Sequence, residues 1–525
     1  MRPAGRDELD SLYFTYPRFD APPPDADRDS PVPVAIVGAG PVGMVAALEL
    51  ARHGVRSVLV EARNTFNDGS RAICIARASY HLIDRLGALD PFLRKSLPWT
   101  TGRSFFRGRQ ILEFTMPDSA DERFRPMYNL EQQYIEQYLW DAIAAQPLIE
   151  TRWQTRLLGI EADAAGAVLS LQDPTGPYRL PARWVLAADG ARSTVRQALG
   201  LRLKGENFEG RYVIADVRMA HAYPTIRRAL FDPACRPGGT VLIHRQPDDI
   251  WRIDYQLRDG ESAEVATQEE NVRASVQGVL DEIGEAGAWD LEWWSVYSAN
   301  TLALDDYRKD CVFFIGDSAH IVPIFGVRGL NNGIADAQNI GWKLALVLTG
   351  QAGEGLLDSY TPERRGATLD VFANASKSAR FMTPPSFGTR LMRDAALSLA
   401  LRFSWAGELA NPRQMAPYTY ADSPLTLPAE TGDGPAPGAM IDDANLGDGF
   451  LSQRMGPAFT LVAFGEAPAL EHPLVQVVRL PPGAAWNAPA GSAWLIRPDL
   501  HVAARWTSAE AGDILTTLDR LLERA

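Results

Sequence analysis

Val34-Ala35-Ile36-Val37-Gly38-Ala39-Gly40-Pro41-Val42-Gly43-Met44-Val45-Ala46-Ala47-Leu48 reads as an apolar strand, a glycine turn and the start of a helix with no residue wasted between them. Gly38 permits the tight turn, Gly40 lets a pyrophosphate approach the backbone, and Gly43 allows strand and helix to pack closely. The helical pattern runs to Ala51, Gly54 ends it, and Ser57–Val60 is a second strand closed by Glu61 and Ala62. Glu61 follows Gly38 by 61 − 38 = 23 residues, a spacing that suits a ribose hydroxyl. A bare glycine triplet is weak evidence, and Glu61 alone could be a surface carboxylate. Strand, turn, helix, strand and acid in one unit predict a dinucleotide site at Gly38, Gly40, Pro41, Gly43, Glu61 and Ala62. The unit by itself does not separate NAD from FAD.

The rest of the composition bounds what surrounds that site. At 525 residues the chain exceeds a single core, so two or three substructures are expected. A net charge of −13 and a pI near 5.2 argue against a nucleic-acid partner. No uninterrupted apolar run of about 18 residues could span a bilayer. No secretory pattern follows Met1, and residues 22–29 form a proline-rich polar extension. Cys74, Cys235 and Cys311 are few and far apart, which fits a reducing cytoplasm and neither a disulfide framework nor a metal site. Cys311 opens the apolar run to Ile315 and reads as a small core residue.

The pattern along the chain predicts an α/β protein; its Rossmann-like FAD-binding domain, interleaved β-sheet substrate domain and C-terminal thioredoxin-like domain take all three of those names from the resemblance described below. An N-terminal extension covers 1–31. The nucleotide-binding domain takes 32–202, with a short excursion into the substrate domain near 98–118. Residues 203–300 alternate in period two, as in Trp251–Leu257, and form the substrate sheet. The nucleotide fold and a helical region resume over 301–427, with a long helix from near Asn332. A linker spans 428–437, and the last module occupies 438–525. No internal repeat is visible.

Two further segments identify the nucleotide. Asp189-Gly190-Ala191-Arg192-Ser193-Thr194-Val195-Arg196 and Gly316-Asp317-Ser318-Ala319-His320, continuing through Pro323 to Gly329-Leu330-Asn331, resemble the Asp-Gly and Gly-Asp elements of the class A flavoprotein aromatic hydroxylases. That family includes phenol, 3-(3-hydroxyphenyl)propionate and para-hydroxybenzoate hydroxylases. The resemblance implies that Asp317 binds the FAD ribityl chain and that Asp189 supports both FAD and NAD(P)H. Gly316, Pro323, Gly329, Leu330 and Asn331 would lie along the flavin. Arg71 matches a family arginine near the ribityl chain, and Gln132, four before Glu136, matches a glutamine that touches FAD. The glycines at 326, 329 and 333 expose N–H groups at a helix start, where negative charge on reduced flavin is favoured. The match departs at Val327 and Arg328, where the family usually has glycine and glutamine, or alanine and lysine in the para-hydroxybenzoate branch.

The resemblance implies an FAD-dependent monooxygenase. NADH or NADPH reduces FAD, dioxygen adds at flavin C4a, and the hydroperoxide hydroxylates a phenolic or related aromatic acid. Arg252, Asp254 and Gln256 should share one strand face, with Ile253, Tyr255 and Leu257 on the other. Tyr255 and His244 could meet a phenol, but packing is the simpler role, as it is for Trp293 and Trp294. No residue stands out as the phenol-activating group, and His320 fits a structural hydrogen bond as well as a flavin contact. The C-terminal module resembles the thioredoxin-like domain appended to phenol-type hydroxylases. It lacks cysteine, so packing or homodimer formation is expected of it and redox exchange is not. A same-fold halogenase, epoxidase or dehydrogenase, or a non-catalytic FAD-binding partner protein, are the alternatives.

Overall fold

The computed structural model describes residues 1–523 apart from 24–27, 259, 324–325, 385, 411–415, 429–431 and 467. The readings of the extension at 24–27 and of the linker at 429–431 lie outside the described residues. Among the described residues the chain is mixed α/β, with four sheets.

Five parallel strands form the spine of the first sheet, in the order Val312–Phe314, Gly176–Ala187, Val32–Val37, Ser57–Val60, Ile149–Arg152. Val32–Val37 is the middle strand, and Val34, Ala35 and Ile36 are fully buried, as a strand covered on both faces requires. The Pro41–Arg52 helix crosses over from it to Ser57–Val60. It starts on Pro41, whose fixed φ suits the first helical turn, and ends before Gly54 at φ 79°. The Gly329–Leu348 helix lies against it so closely that a Cβ on Gly341 would stand 2.7 Å from Glu49 Cγ. This helix begins at Gly329, three residues before the start read from the sequence. The Asn331 side chain donates to the Val327 carbonyl at 2.9 Å and draws the preceding turn into the helix.

The second sheet has eight strands. Their order is His320–Ile321, Trp289–Ala303, Lys204–Met219, Ile250–Gln256, Thr240–Arg245, Arg227–Phe231, Thr101–Phe106 and Arg109–Thr115. Every pairing is antiparallel except Arg227–Phe231 with Thr101–Phe106. The 101–115 hairpin therefore reaches this sheet from far away in the chain. Val272, Val276, Val279 and Leu280 of the Glu269–Glu282 helix pack on one face with Trp251, Ile253 and Tyr255. Arg252 and Asp254 alternate onto the opposite face, yet both are buried too, so that face is covered by other parts of the chain.

A three-stranded sheet of Cys74–Ala76, Met127–Asn129 and Leu97–Trp99 sits between the two. The C-terminal module has strand order Val475–Leu480, Phe459–Phe464, Ala493–Ile496, Val502–Trp506, the first pair parallel and the others antiparallel. The Ala511–Leu521 helix covers it, with Ile514 against Leu461, Ala463 and Ala493. Among the described residues, 465–474 hold no helix.

The N-terminal segment is more than a polar extension. Arg2 pairs with Asp68 at 2.8 Å and with Glu292 at 2.6 Å, so it ties the loop after the second strand to the far sheet. Phe14 and Tyr16 are buried, and Phe19 stacks on Trp153 at 4.2 Å. The aromatic residues of 13–19 anchor this strap, whereas the prolines dominate its appearance in sequence.

Candidate active site

The opening turn is held by contacts that only glycine allows. Gly38 has φ 108°, and a Cβ there would lie 2.5 Å from the Ala188 carbonyl oxygen. A Cβ on Gly43 would lie 1.9 Å from the Gly38 oxygen. Gly40 differs, since nothing lies within 4 Å of its would-be Cβ. Two glycines thus serve packing, and the third presents open backbone at a helix N-terminus, where the first N–H groups lack partners. Glu61 Oε2 accepts the Ala39 N–H at 3.0 Å, and Oε1 accepts from the Arg63 N–H at 3.0 Å and Arg63 Nε at 3.1 Å. The acid is 8% exposed and braces the turn from the next strand, with Ala62 exposed beside it.

The Asp189 and Gly316 elements meet this turn. Ala188 and Asp189 form the wall behind Gly38. Asp189 Oδ2 accepts the Val195 N–H at 3.0 Å, while Oδ1 is buried with no partner. Burial pushes this carboxyl up from its ordinary range, with the Ser193 and Val195 donors pulling the other way. Arg196 ties the two elements together, donating to the Ser318 carbonyl at 2.9 Å and the Ala191 carbonyl at 2.7 Å. Gly316 has φ 61° and abuts Val42 of the first helix, as does Gly333. Asp317 projects to solvent from a recess, and that enclosure raises its carboxyl despite the opposing pull of His320, Arg71 and Arg196.

His320 is fully buried and shares a 2.6 Å hydrogen bond with Asp336, whose Oδ2 also accepts the Gly316 N–H at 2.9 Å. Asp336 Oδ1 accepts from Arg364 Nε at 2.7 Å. Burial opposes ionisation of Asp336, but His320 and Arg364 hold its carboxyl below the usual range. This pair fixes the Gly316 turn, which favours the structural reading of His320. Asp336 escaped the sequence reading, and Arg196 was read only as the end of the Asp189 element, with no role of its own. The available signal for Asp336 was a charged residue inside an otherwise buried helix.

The loop 69–76 forms a third wall. A Cβ on Gly69 would fall 2.0 Å from the Trp293 ring, so the loop lies directly on that indole and offers Arg71, which is exposed. Gln132 accepts the Ala72 N–H at 3.2 Å and donates to Glu136 at 2.7 Å. Glu136 is buried and also takes the Asn67 N–H and side-chain amide, at 2.8 and 2.5 Å. Asn331 accepts from the Ala76 N–H and Ser79 Oγ, both at 2.8 Å, and donates to Cys74 and Val327 carbonyls. The side chains of Gln132 and Asn331 therefore shape the loop. Pro323 is buried next to residues outside the described set, and Gly329 and Leu330 are half-buried at the helix start. Val327 has φ 63°, a conformation unfavourable for a β-branched residue, which accounts for the family's glycine at that position. An open cleft of about 820 Å³ is lined in part by Ala62, Arg63, Asn67, Arg71 and Trp293.

Beneath the loop lies the polar face of the second sheet. Arg252 pairs with Asp216 at 2.8 and 3.0 Å and donates to the Arg71 carbonyl at 3.3 Å and to the Ser70 carbonyl. Asp254, His244 and Ser104 share this face, each with a buried atom lacking a partner: Oδ1, Nδ1 and Oγ. Burial holds the Asp254 carboxyl up at about 7, with Arg252 opposing, and drives His244 well below its ordinary range. Tyr255 points into the helix-covered core, as do Trp294 and Ile253, so it does not face this site.

The fold and these walls define a nucleotide-binding α/β protein whose glycine turn, two acid elements and polar sheet face converge. Residues 31–375 match the family model described as FAD binding domain, more than half of the chain, and the chain belongs to that family. FAD is the cofactor of this chain. It is similar to the 3-(3-hydroxy-phenyl)propionate/3-hydroxycinnamic acid hydroxylase of Mycolicibacterium smegmatis, 29% identical over 366 residues, covering 69% of this chain and 63% of that protein. The corresponding Mycobacterium avium protein is 25% identical over 519 residues, covering 95% and 86%. The match thus spans less than two thirds of the length of several such relatives. Among solved structures, the flavin-dependent monooxygenase PieE in complex with FAD and substrate superimposes with TM-score 0.78 at 22% identity, covering 95% of this chain and 100% of that one. Aklavinone-11 hydroxylase with FAD and aklavinone gives 0.76 at 24%, with the same coverage. At these identities the likeness is one of fold. Among the described residues no helix is long and apolar enough to cross a membrane.

Proposed function

We propose that the chain is an FAD-dependent monooxygenase that hydroxylates a phenolic or related aromatic acid, consuming NAD(P)H and dioxygen and releasing NAD(P)⁺ and water. The observation that carries this reading is the convergence of the Gly38, Asp189 and Gly316 elements on one recess that adjoins an enclosed polar sheet face. A dinucleotide alone would explain the recess; a second, buried polar face beside it calls for a second reactant.

In this reading the backbone of Gly40, Pro41 and Gly43 receives the pyrophosphate, against a turn fixed by Gly38. The fit rests on Gly40, whose open side lets a phosphate reach the helix N-terminus. Glu61 and Ala62 flank the adenosine side, and Arg71, Gln132, Asp189, Gly316 and Asp317 surround the ribityl chain. Pro323, Gly329, Leu330 and Asn331 would border the flavin, where helix-start N–H groups favour negative charge. Bound FAD would supply hydride acceptance and dioxygen activation. The chain's own residues position the ring and keep water out: Trp293 supports the Arg71 loop, and Arg252 clamps that loop to the sheet.

The module 438–525 is assigned a thioredoxin-like fold, supported by its strand order, its single parallel pair and its closing helix. Without cysteine its role is packing, and a homodimer through it is compatible with that role. A cytoplasmic location is supported by three cysteines with no partner among them.

The test is aromatic-stimulated NADH and NADPH oxidation by the FAD-loaded protein under ¹⁸O₂, with peroxide measured in parallel. One oxygen-18 per product molecule is expected with 3-(3-hydroxyphenyl)propanoate or a related phenolic acid. Flavin reduction without label in any product would refute hydroxylation. A bound flavin that no NAD(P)H reduces would point instead to a binding protein.

A further inference from the structure

Arg227 opens the strand Arg227–Phe231, is 5% exposed, and among the described residues forms neither an ion pair nor a side-chain hydrogen bond. A buried, unpaired guanidinium is costly, and proteins keep one where a partner arrives from outside. The cations and acids around it do not supply that partner. Arg252 is already neutralised by Asp216. Asp254 is near enough to attract Arg227 but lies beyond ion-pair distance, and its burial favours the neutral acid.

Register places Arg227 precisely enough to say what it faces. Asp216, Arg252 and His244 are direct cross-strand partners, and Arg228 opposite Ile243 sets Arg227 opposite His244. Arg227 is thus two strand spacings, about 10 Å, from Arg252 and the Arg71 loop. Arg227 also pairs with Gly102, whose missing side chain admits the Phe114 ring at 2.3 Å from a would-be Cβ. Ser104, in the next row, holds its unpartnered hydroxyl on the same face. Trp99, Phe114, Met127 and Cys74 form the apolar cover. The face offers a cation at one end, apolar walls along its length, and the Arg71 loop at the other end.

We propose that Arg227, assisted by the Ser104 hydroxyl, binds the carboxylate of an aromatic acid substrate, with the ring extending toward Arg252 and the Arg71 loop. This rests on the monooxygenase reading for the identity of the site and adds the group that selects the substrate class.

Binding to the FAD-loaded protein, followed by perturbation of flavin absorbance, tests it without requiring turnover. The probes are 3-(3-hydroxyphenyl)propanoate, its primary amide and 3-ethylphenol. The wild type should bind the acid at least tenfold more tightly than either neutral probe. Arg227→Met should weaken acid binding roughly 10- to 100-fold, the loss expected of a charge-assisted contact, and leave the amide within about twofold. Amide binding by the variant shows that its site is intact. Equal binding of acid and amide by the wild type, equal losses for both in Arg227→Met, or no saturable binding of any probe would each overturn the proposal. Charge discrimination without labelled product would retain this subsite and refute hydroxylation; labelled product without discrimination would do the reverse.

Discussion

Replacing Arg497 with methionine should loosen the C-terminal module from the FAD-binding part of the chain. The Arg497 guanidinium is fully buried and makes four contacts, to Glu363 at 2.6 and 3.0 Å and to Asp499 at 3.0 and 2.6 Å. Glu363 lies in the first turn of the Tyr360–Met382 helix and also holds Lys343 at 2.6 Å, so Arg497 bridges the C-terminal module to that helix. Methionine keeps most of the volume but leaves two buried carboxylates facing each other. Removing one partner of such a cluster costs about 3–5 kcal/mol, a 10²- to 10³-fold or greater shift in the unfolding equilibrium. Urea denaturation followed by tryptophan fluorescence measures it, since Trp342 lies under the same arginine at 5.4 Å. Glu363→Leu/Arg497→Met should cost less than the two single changes together, with a coupling above about 1 kcal/mol. The pH dependence carries a sign. Burial resists the charges on Glu363 and Asp499, but Arg497 and its neighbours hold both carboxyls well below their unfolded range. Their stabilisation is present above the unfolded pKa near 4 and is lost as pH falls toward the folded values, so the gap between wild type and Arg497→Met should narrow below about pH 4. A single-variant loss under 1 kcal/mol, additive costs within 0.5 kcal/mol, or a gap that widens in acid would refute the reasoning.

The glycine turn yields a paired prediction: Gly43→Ala drives a Cβ into the Gly38 carbonyl and should lower stability by about 1–3 kcal/mol, whereas Gly40→Ala meets no atom and should fold normally yet bind FAD more weakly, as equilibrium flavin titration would show. Normal FAD affinity in Gly40→Ala would remove the pyrophosphate from that position. Arg196→Ala breaks a buried hydrogen bond to Ser318 that joins the Asp189 and Gly316 elements and a second, to Ala191, within the former, and should weaken FAD binding by roughly tenfold or more, read from the same titration. Asp254 is raised by burial to about 7 against an unfolded value near 4, so its ionisation penalises the fold increasingly as pH rises from 4 to 7. Asp254→Asn should therefore gain urea resistance relative to wild type across that window and hold a constant advantage above it; a constant difference from pH 4 upward would contradict the burial argument.

The nucleotide-binding part was legible because its signals are local. Gly43 is required by contact with Gly38 inside the same strand, turn and helix, and Glu61 ends the next strand in that unit; Gly38 reads as a turn glycine locally, although the atoms that exclude a side chain there belong to Ala188 and Asp189 of a distant strand. Asp189 and Gly316 were legible as motifs, but Arg196, which joins them, is distinguished only by the Ser318 carbonyl it reaches across 122 residues. Arg227 and Asp254 lie deeper still. Their meaning depends on the lateral order of strands, and that order places a hairpin from 101–115 beside a strand at 227–231. Alternation separated Arg252 and Asp254 from Ile253 and Tyr255, yet it could not tell that both faces are buried.

The two ends of the chain bear on the same point from opposite sides. Arg2 and Tyr16 hold the loop that carries Arg71: Arg2 through Asp68 and Glu292, Tyr16 by accepting the Gly69 N–H at 3.3 Å. Arg497 and Asp499 hold the helices behind Asp336 through Glu363, Asn339 and Trp342. Neither set reaches the recess. The first set restrains the loop whose exposed Arg71 lines the open cleft, and the second braces the helix whose Asp336 holds the turn that carries the exposed Asp317. The charge that sequence composition reports as a plain excess of acid is therefore divided within the fold. Some carboxylates are fixed by arginines at the joints between substructures, whereas Asp189, Asp254 and Asp317 stand with raised carboxyls on the glycine-turn wall, the polar sheet face and the Gly316 turn. Ionisable groups kept out of balance in this way are expected where a ligand completes them.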